Sequence, residues 1–361
     1  MPSPKITKIT ARPALAPLKQ PITTATVSIP KAPLVLIDIM TDQGIIGHSY
    51  IFTYTPIALA PMVRLIEDIG SGLIGKSVHP VSRLAEMEQS FRLLGRQGFI
   101  AMALAGLDMA HWDAHAKAHE TSVAQMLGAS PIPVPCYNSL GVFQIGRDEP
   151  LLEQSLADGF KAIKVKVGVG SLAHDVETVH AIKNQIGPEI RLMIDYNQSL
   201  TVPEAIRRIK RFEEEGFQLD WVEEPVTAED FMGHNAVRFA VDTPIQTGEN
   251  WWMPDDAARA IQAGVSDHAM LDIMKIGGIT GWQRAASYAN AASLPVSSHL
   301  FIEASAHVLC VTPNAHLLEF LDVAGSLLEE PYLVENGALT PRGPGLGISW
   351  DESAVQRALV Q

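Results

Sequence analysis

Lys166, Asp195, Glu223, Glu249, Asp272, His299 and Glu319 recur at intervals of 20 to 29 residues through the second half of this 361-residue chain. One strand plus one helix takes up roughly 25 to 31 residues in a (β/α)8 barrel of about 250 residues. Parallel barrel strands all end on one rim, so a polar residue at each strand end would converge on a single point. Each of the seven ends or closely follows a short apolar run: AIKVKV, IRLMID, LDWVEE, TPIQTGE, HAMLDI, LPVSSH and AHLLEF. A single Asp or Glu in a long chain is ordinarily a solvated charge or a helix cap. Repetition of the same apolar run with a polar terminus sets this series apart.

The chemistry follows from residue type. Lys164 and Lys166 are two apart in AIKVKVG, so they share one strand face, about 7 Å apart. Facing a barrel interior, their mutual repulsion and partial desolvation are expected to lower their pKa values toward the range of a general base. On an exposed edge strand they would simply be solvated lysines. Asp195, Glu223 and Glu249 end consecutive strands and offer three hard oxygen ligands, a set suited to Mg²⁺. Crowded carboxylates without a cation would repel. Asn197, two residues after Asp195, is placed to support a ligand. Asp272 beside His299 would fix the imidazole tautomer and raise its basicity. A lone His is more often structural, but this one would face Lys166 across the rim, so two bases would flank one carbon. Glu319 is expected as a protonated acid that hydrogen-bonds a developing oxyanion.

Those side chains need a scaffold, and the rest of the chain supplies one. Residues 1–130 read as an α+β capping domain: strands to about residue 55, with a turn at Asp42-Gln43-Gly44, then helices from Pro56 to Gly128. Residues 131–325 alternate strand and helix, and Ser139 on the first strand completes eight units of a (β/α)8 barrel. Residues 326–361 are rich in Pro and Gly and are expected to return to the capping domain. The net charge of −13 and the lack of a Lys/Arg cluster argue against a nucleic-acid partner. No apolar stretch approaches the ~20 residues of a membrane span, and the N-terminus lacks a secretory apolar core, so a cytoplasmic protein is expected. Cys136 and Cys310 are read as buried hydrophobes. His111, His115 and His119 at i, i+4 spacing lack an acidic third ligand and are read as helix surface. The run from Gly343 to Gly347 is read as a turn, not a dinucleotide loop, and Gly277-Gly278 as a strand-to-helix turn.

The motifs KVK, IDYNQSL, WVEEP, GENW, MKIGG and SSHLF, with APLVLID, GHSYIFTYTP and YNS at 137–139, resemble the mandelate racemase group of the enolase superfamily over nearly the whole chain. A Lys or His base with Mg²⁺ stabilising an ene-diolate is the general chemistry of that superfamily. The resemblance implies Asp195, Glu223 and Glu249 as Mg²⁺ ligands, Lys166 as base for one enantiomer, and His299 with Asp272 as base for the other. It places Lys164 and Glu319 on the substrate carboxylate, and Ser139 and Asn197 near substrate oxygens or metal. Glu224 is expected to turn away from the ligand position. Substrate selection would fall to the segment 22–29, including Thr26 and Ile29, and to the aromatic walls Phe52 and Tyr54. The implied activity is a 1,1-proton transfer on a small 2-hydroxycarboxylate; a sugar-acid dehydratase and a non-catalytic metal and carboxylate-binding barrel are the alternatives. A homo-oligomer, an octamer in the group, is also implied.

Overall fold

The computed structural model describes residues 3–23 and 28–360, so Thr26 lies outside the described residues. Strands β1 (Ile6–Thr23), β2 (Ser28–Thr41) and β3 (Ile46–Phe52) form an antiparallel sheet in that order. The β2–β3 turn spans Asp42-Gln43-Gly44 as expected. Helices α1 (Leu59–Ser71) and α3 (Phe99–Lys117) pack on this sheet, and α2 (Pro80–Ser90) packs on α3. α3 is buried almost all round, because it lies between this sheet and the helix Gly278–Ala291. A helix with two covered faces has no polar side to present. His111 is therefore fully buried, with Nδ1 2.6 Å from Leu107 O, which corrects its reading as surface; His119 is exposed.

Eight parallel strands follow: β4 (Val134–Val142), β5 (Ala162–Lys166), β6 (Arg191–Asp195), β7 (Val222–Glu223), β8 (Ile245–Thr247), β9 (His268–Asp272), β10 (Val296–His299) and β11 (Leu318–Phe320). They pair in sequence from β4 to β10, with β11 beside β4. The ring closes through Ser298 N donating to Leu317 O at 3.1 Å and His316 N to Val296 O at 2.8 Å. This is a TIM barrel with an N-terminal capping domain. Alternation divides each strand: Ile163, Val165, Leu192 and Ile194 pack outward on the helices, while Tyr137, Ala162, Met193, Trp221, Met270 and Leu317 fill the lumen. Each large apolar side chain so buried contributes about 1.5–3 kcal/mol. That packed floor leaves the polar strand ends only the rim.

Cap and barrel are joined by polar contacts at fixed places. Asp108 of α3 accepts from Thr280 N at 2.9 Å and Thr280 Oγ1 at 2.7 Å, so a cap residue satisfies the first turn of the barrel helix Gly278–Ala291. The closeness requires Gly278: its φ is +74°, and a Cβ there would lie 2.5 Å from Asp108 Oδ2. At the other edge, Thr23 at the end of β1 accepts from Val142 N at 3.3 Å, so the β1–β2 hairpin rests on the rim end of β4. The tail touches both barrel and cap. β12 (Ala338–Leu339) pairs antiparallel with the start of β4, Trp350 Nε1 donates to Asp38 at 2.8 Å, and Arg12 meets Glu352 at 2.6 Å. The Gly343–Gly347 segment is a turn with no helix after it. Cys136 is buried and Cys310 half-buried, both as free thiols. Among the described residues, no helix is long and apolar enough to cross a membrane.

Candidate active site

Strand register sets the rim. Ser139 pairs with Lys164, Lys166 with Asp195, Asp195 with Glu223, Glu223 with Gln246, and His299 with Asp272. Paired residues project to the same side of a sheet, and that side is the lumen. Glu249 reaches the ring differently, two residues beyond β8. Gly248 makes the bend at φ +132°, where a Cβ would lie 2.6 Å from Met270 O.

The three carboxylates read as metal ligands sit beside protein cations. Lys164 Nζ is 2.6 Å from Glu223 and 2.9 Å from Glu319. Lys166 Nζ is 2.8 Å from Asp195 and donates to Asn197 Oδ1 at 2.6 Å. His299 Nε2 is 3.3 Å from Glu249. Asn197, in left-handed backbone at φ +43°, donates to Asp195 through its main-chain N–H (2.7 Å) and its amide (2.9 Å). Lys and His intervene between the acids, so among the described residues no three His, Cys, Asp or Glu side chains already converge as a metal cage. Mutual repulsion is thus relieved by lysine and imidazole, where a cation is the simplest expectation from the sequence. The donor set nevertheless fits a hard divalent ion: Asp195 and Glu223 are buried and Glu249 is largely so, three carboxylates in one ring.

Protonation states differ from expectation at two places. Burial opposes charge on Lys164, but Glu223 and Glu319 overcome it and raise the pKa well above the ordinary value. Burial likewise opposes charge on Lys166, and Asp195 with Glu249 raises it. Attraction to carboxylates at under 3 Å exceeds the repulsion between lysines, so the predicted lowering is reversed. Glu319, predicted to be protonated, is drawn down to about 2, because Lys164, His299 and the Leu300 N–H at 3.0 Å outweigh its burial. Glu223 goes the other way, to about 8, since burial and the neighbouring acids Asp195, Glu249 and Glu319 exceed the pull of Lys164.

Asp272 and His299 are hydrogen-bonded to each other. Nδ1 of His299 is 2.6 Å from Asp272 Oδ2, while Asp272 Oδ1 accepts from Met274 N at 2.7 Å and Lys275 N at 3.0 Å. These two main-chain donors lock the carboxylate and leave Nε2 facing Glu249 and Glu319. Burial would depress the imidazole; Glu249 and the Asp272 hydrogen bond reverse that and raise it to about 9. β5, which carries Lys166, and β10, which carries His299, are three strands apart one way round the ring and five the other. That is about 135° of an eight-strand circle.

Residues 149–354 match the family described as "Enolase C-terminal domain-like", and residues 6–128 match "Mandelate racemase / muconate lactonizing enzyme, N-terminal domain". The chain belongs to the enolase superfamily, in its mandelate racemase/muconate lactonizing enzyme group. An enolase from Bradyrhizobium, solved in complex with magnesium and mandelic acid, is 50% identical, covers 100% of both chains and superposes with a TM-score of 0.97. D-galactarolactone cycloisomerase of Agrobacterium fabrum is 28% identical over 94% of each chain. L-talarate/galactarate dehydratase of Salmonella typhimurium is 28% identical over 94% of this chain and 88% of its own. Isomerases and dehydratases both occur among these enolase-superfamily relatives.

Around this enolase-superfamily rim the remaining expected residues fall at varied distances. Ser139 lines a cavity of about 390 Å³ with Ile22, Leu140 and Phe320. Ile29, paired with Ile22 near the hairpin tip, is half-buried against the core. Tyr54 lies tilted against Phe52, with ring centroids 4.6 Å apart and planes at 47°, and its buried hydroxyl has no hydrogen-bond partner among the described residues. Burial, with Asp272, Glu249, Glu319 and Glu224, raises its pKa well above the ordinary value. Sequence reasoning missed the supports. Trp221 Nε1 (3.1 Å) and Gln246 Nε2 (3.4 Å) hold Glu223, and Asn250 donates to Glu224 (2.7 Å) and Glu249 (3.2 Å). Glu224 does not simply turn outward: at φ +34° it leaves strand alternation and is buried against Asn250. The available signal was the GENW and MKIGG motifs, whose Asn250 and Lys275 meet at 2.6 Å.

Proposed function

We propose that this protein is a Mg²⁺-dependent racemase of small 2-hydroxycarboxylates with an apolar substituent, of the mandelate type. The observation that carries the reading is the placement of Lys166 and His299 on well-separated strands of one ring, with Lys164, Glu249 and Glu319 between them. Lys166 Nζ takes the α-proton of one enantiomer, and His299 Nε2 returns a proton to the opposite face of the planar enediolate, inverting the centre. The other enantiomer runs the same path backwards. In each direction the accepting base must be neutral and the donating base protonated; Asp195 and Glu249 hold Lys166 and His299 protonated, and a divalent cation on those two carboxylates would offset that pull. Asp272 holds the imidazole with Nε2 toward the substrate and stabilises the imidazolium when it forms. Lys164, at the base of the site, faces the substrate carboxylate, where negative charge develops; Glu319 beside it, an anion while paired with Lys164, would donate there only after taking up a proton.

Asp195, Glu223 and Glu249 would hold the Mg²⁺, with Asn197 orienting Asp195. When bound, the ion supplies Lewis-acid polarisation of the substrate carboxylate. The apolar substituent is supported by Tyr54, Phe52, Ile22 and Ile29 at the cap, and by the likeness to a neighbour that binds mandelic acid. A hydroxyl-rich sugar acid would call for more hydrogen-bonding groups on that wall. The test is to incubate the protein, Mg²⁺ and single-enantiomer mandelate, or a panel of sugar acids, in D2O and follow the products by NMR and polarimetry. Deuterium at Cα with inversion supports the racemase. Release of a 2-keto acid would make it a dehydratase, and no exchange with any acid would make it a binding protein.

A further inference from the structure

The turn after β9 carries a cation that the proton transfers above do not use. Lys275 is 5% exposed, and its ammonium donates to Asn250 Oδ1 at 2.6 Å. The same nitrogen lies 5.2 Å from the Tyr54 ring centroid and 5.7 Å from that of Trp252. A buried ammonium persists only where charge or π density replaces its water, and here two aromatic faces and an amide oxygen do so, with Glu224 and Glu249 as further electrostatic partners. Tyr54 arrives from the capping domain in left-handed backbone at φ +58°. A side-chain-bearing residue keeps that conformation only when its surroundings dictate it. On the other side Asn250, held by Lys275, directs its amide to Glu224 and Glu249. Main-chain atoms of Lys275 add two more ties: N–H to Asp272 Oδ1 at 3.0 Å, and C=O accepting from Met253 N at 3.0 Å. One residue therefore joins the dyad, a carboxylate of the proposed ion site and the cap.

We propose that Lys275 is a positioning residue that seats Tyr54 of the cap over the site and, through Asn250, fixes the carboxylate of Glu249. The assignment of what it positions rests on the reading of the site given above. Its ammonium is enclosed by two rings and an amide, so it transfers no proton to substrate. Lys275→Met keeps the length and removes the charge; Lys275→Arg keeps a cation that stacks on aromatic faces.

The experiment has two arms. In the first, hydrogen–deuterium exchange is followed on the peptide covering residues 50–56, in full-length protein treated with EDTA. Exchange is expected to be about tenfold faster in Lys275→Met and close to wild type in Lys275→Arg. In the second, steady-state kinetics are measured with each enantiomer of mandelate and saturating Mg²⁺. KM is expected to rise roughly tenfold in Lys275→Met, kcat to fall less, and the change to be the same for both enantiomers. Unchanged exchange at residues 50–56 overturns the proposal, as does a loss confined to one enantiomer, which would make Lys275 a proton carrier. If Lys275→Met does not fold, Trp252→Leu removes one wall of the ammonium's seat and leaves every charge in place. It should loosen the same peptide by a smaller factor, and no loosening overturns the proposal. Should the wild type act on no hydroxy acid, the reading of the reaction falls, while the exchange arm still decides the role of Lys275.

Discussion

Replacing Lys164 with Met removes the ammonium that lies 2.6 Å from Glu223 and 2.9 Å from Glu319 in a position 2% exposed. Deleting one partner of a buried ion pair leaves the other charge uncompensated and costs about 3–5 kcal/mol. Unfolding entropy scales to roughly 0.75 kcal/mol/K for 361 residues, so the melting temperature should fall by about 4–7 °C in EDTA at pH 8. The loss should also depend on pH. Glu223 is already raised to about 8 by burial and its acidic neighbours, and without Lys164 it is raised further. A carboxyl with a raised folded pKa is destabilising when ionised, and protonation relieves it. At pH 5 the Glu223 share of the deficit should therefore shrink, while the Glu319 share, from a carboxyl drawn down to about 2, persists. Scanning calorimetry of wild type and Lys164→Met at both pH values measures this. A deficit under about 1 kcal/mol, or one equal at pH 5 and pH 8, would refute the idea that Lys164 neutralises these acids.

Three further outcomes follow from particular contacts. Asp272→Asn removes the carboxylate that holds His299 Nδ1 at 2.6 Å, and should slow deuterium uptake into the enantiomer served by His299 on the order of 100-fold; equal rates in mutant and wild type would show that the dyad is idle. Gly278→Ala forces a side chain into φ +74° and toward Asp108, so urea titration should show a loss of about 2 kcal/mol, and an unaltered midpoint would contradict the account of the cap–barrel joint. In EDTA, the raised pKa of His299, about 9, gives stability that is fully present below about 6.5 and lost as pH climbs through 9. The melting temperature should fall over that window in wild type and less steeply in His299→Asn, and parallel curves would refute the linkage.

Much of this arrangement was legible because barrel geometry translates strand spacing directly into convergence. The spacing from Lys166 to Glu319, with an apolar run at each step, assigns a polar residue to each of seven strand ends, and Ser139 on the preceding strand makes the eighth. Alternation then told inward Lys164 and Lys166 from outward Ile163 and Val165. Where alternation ends, so did the foresight. Glu224 at φ +34° and the bend at Gly248 lie past the strands, and their partners Asn250 and Lys275 come from turns whose paths have no period to read. Charge states failed for a related reason. Repulsion between Lys164 and Lys166 is visible in the sequence, but the shorter approaches to Glu223, Glu319 and Asp195 exist only after folding. His111 was misjudged because a helix covered on both faces has no polar stripe to announce its burial.

The central claim is that an amine and an imidazole serve opposite faces of one carbon. It is tested most directly by deuterium uptake into separate enantiomers of mandelate by His299→Asn, with Mg²⁺ present. The account predicts continued uptake into the enantiomer whose proton goes to Lys166, with retention of configuration, and none into the other. Equal loss from both enantiomers, or equal survival of both, would contradict it.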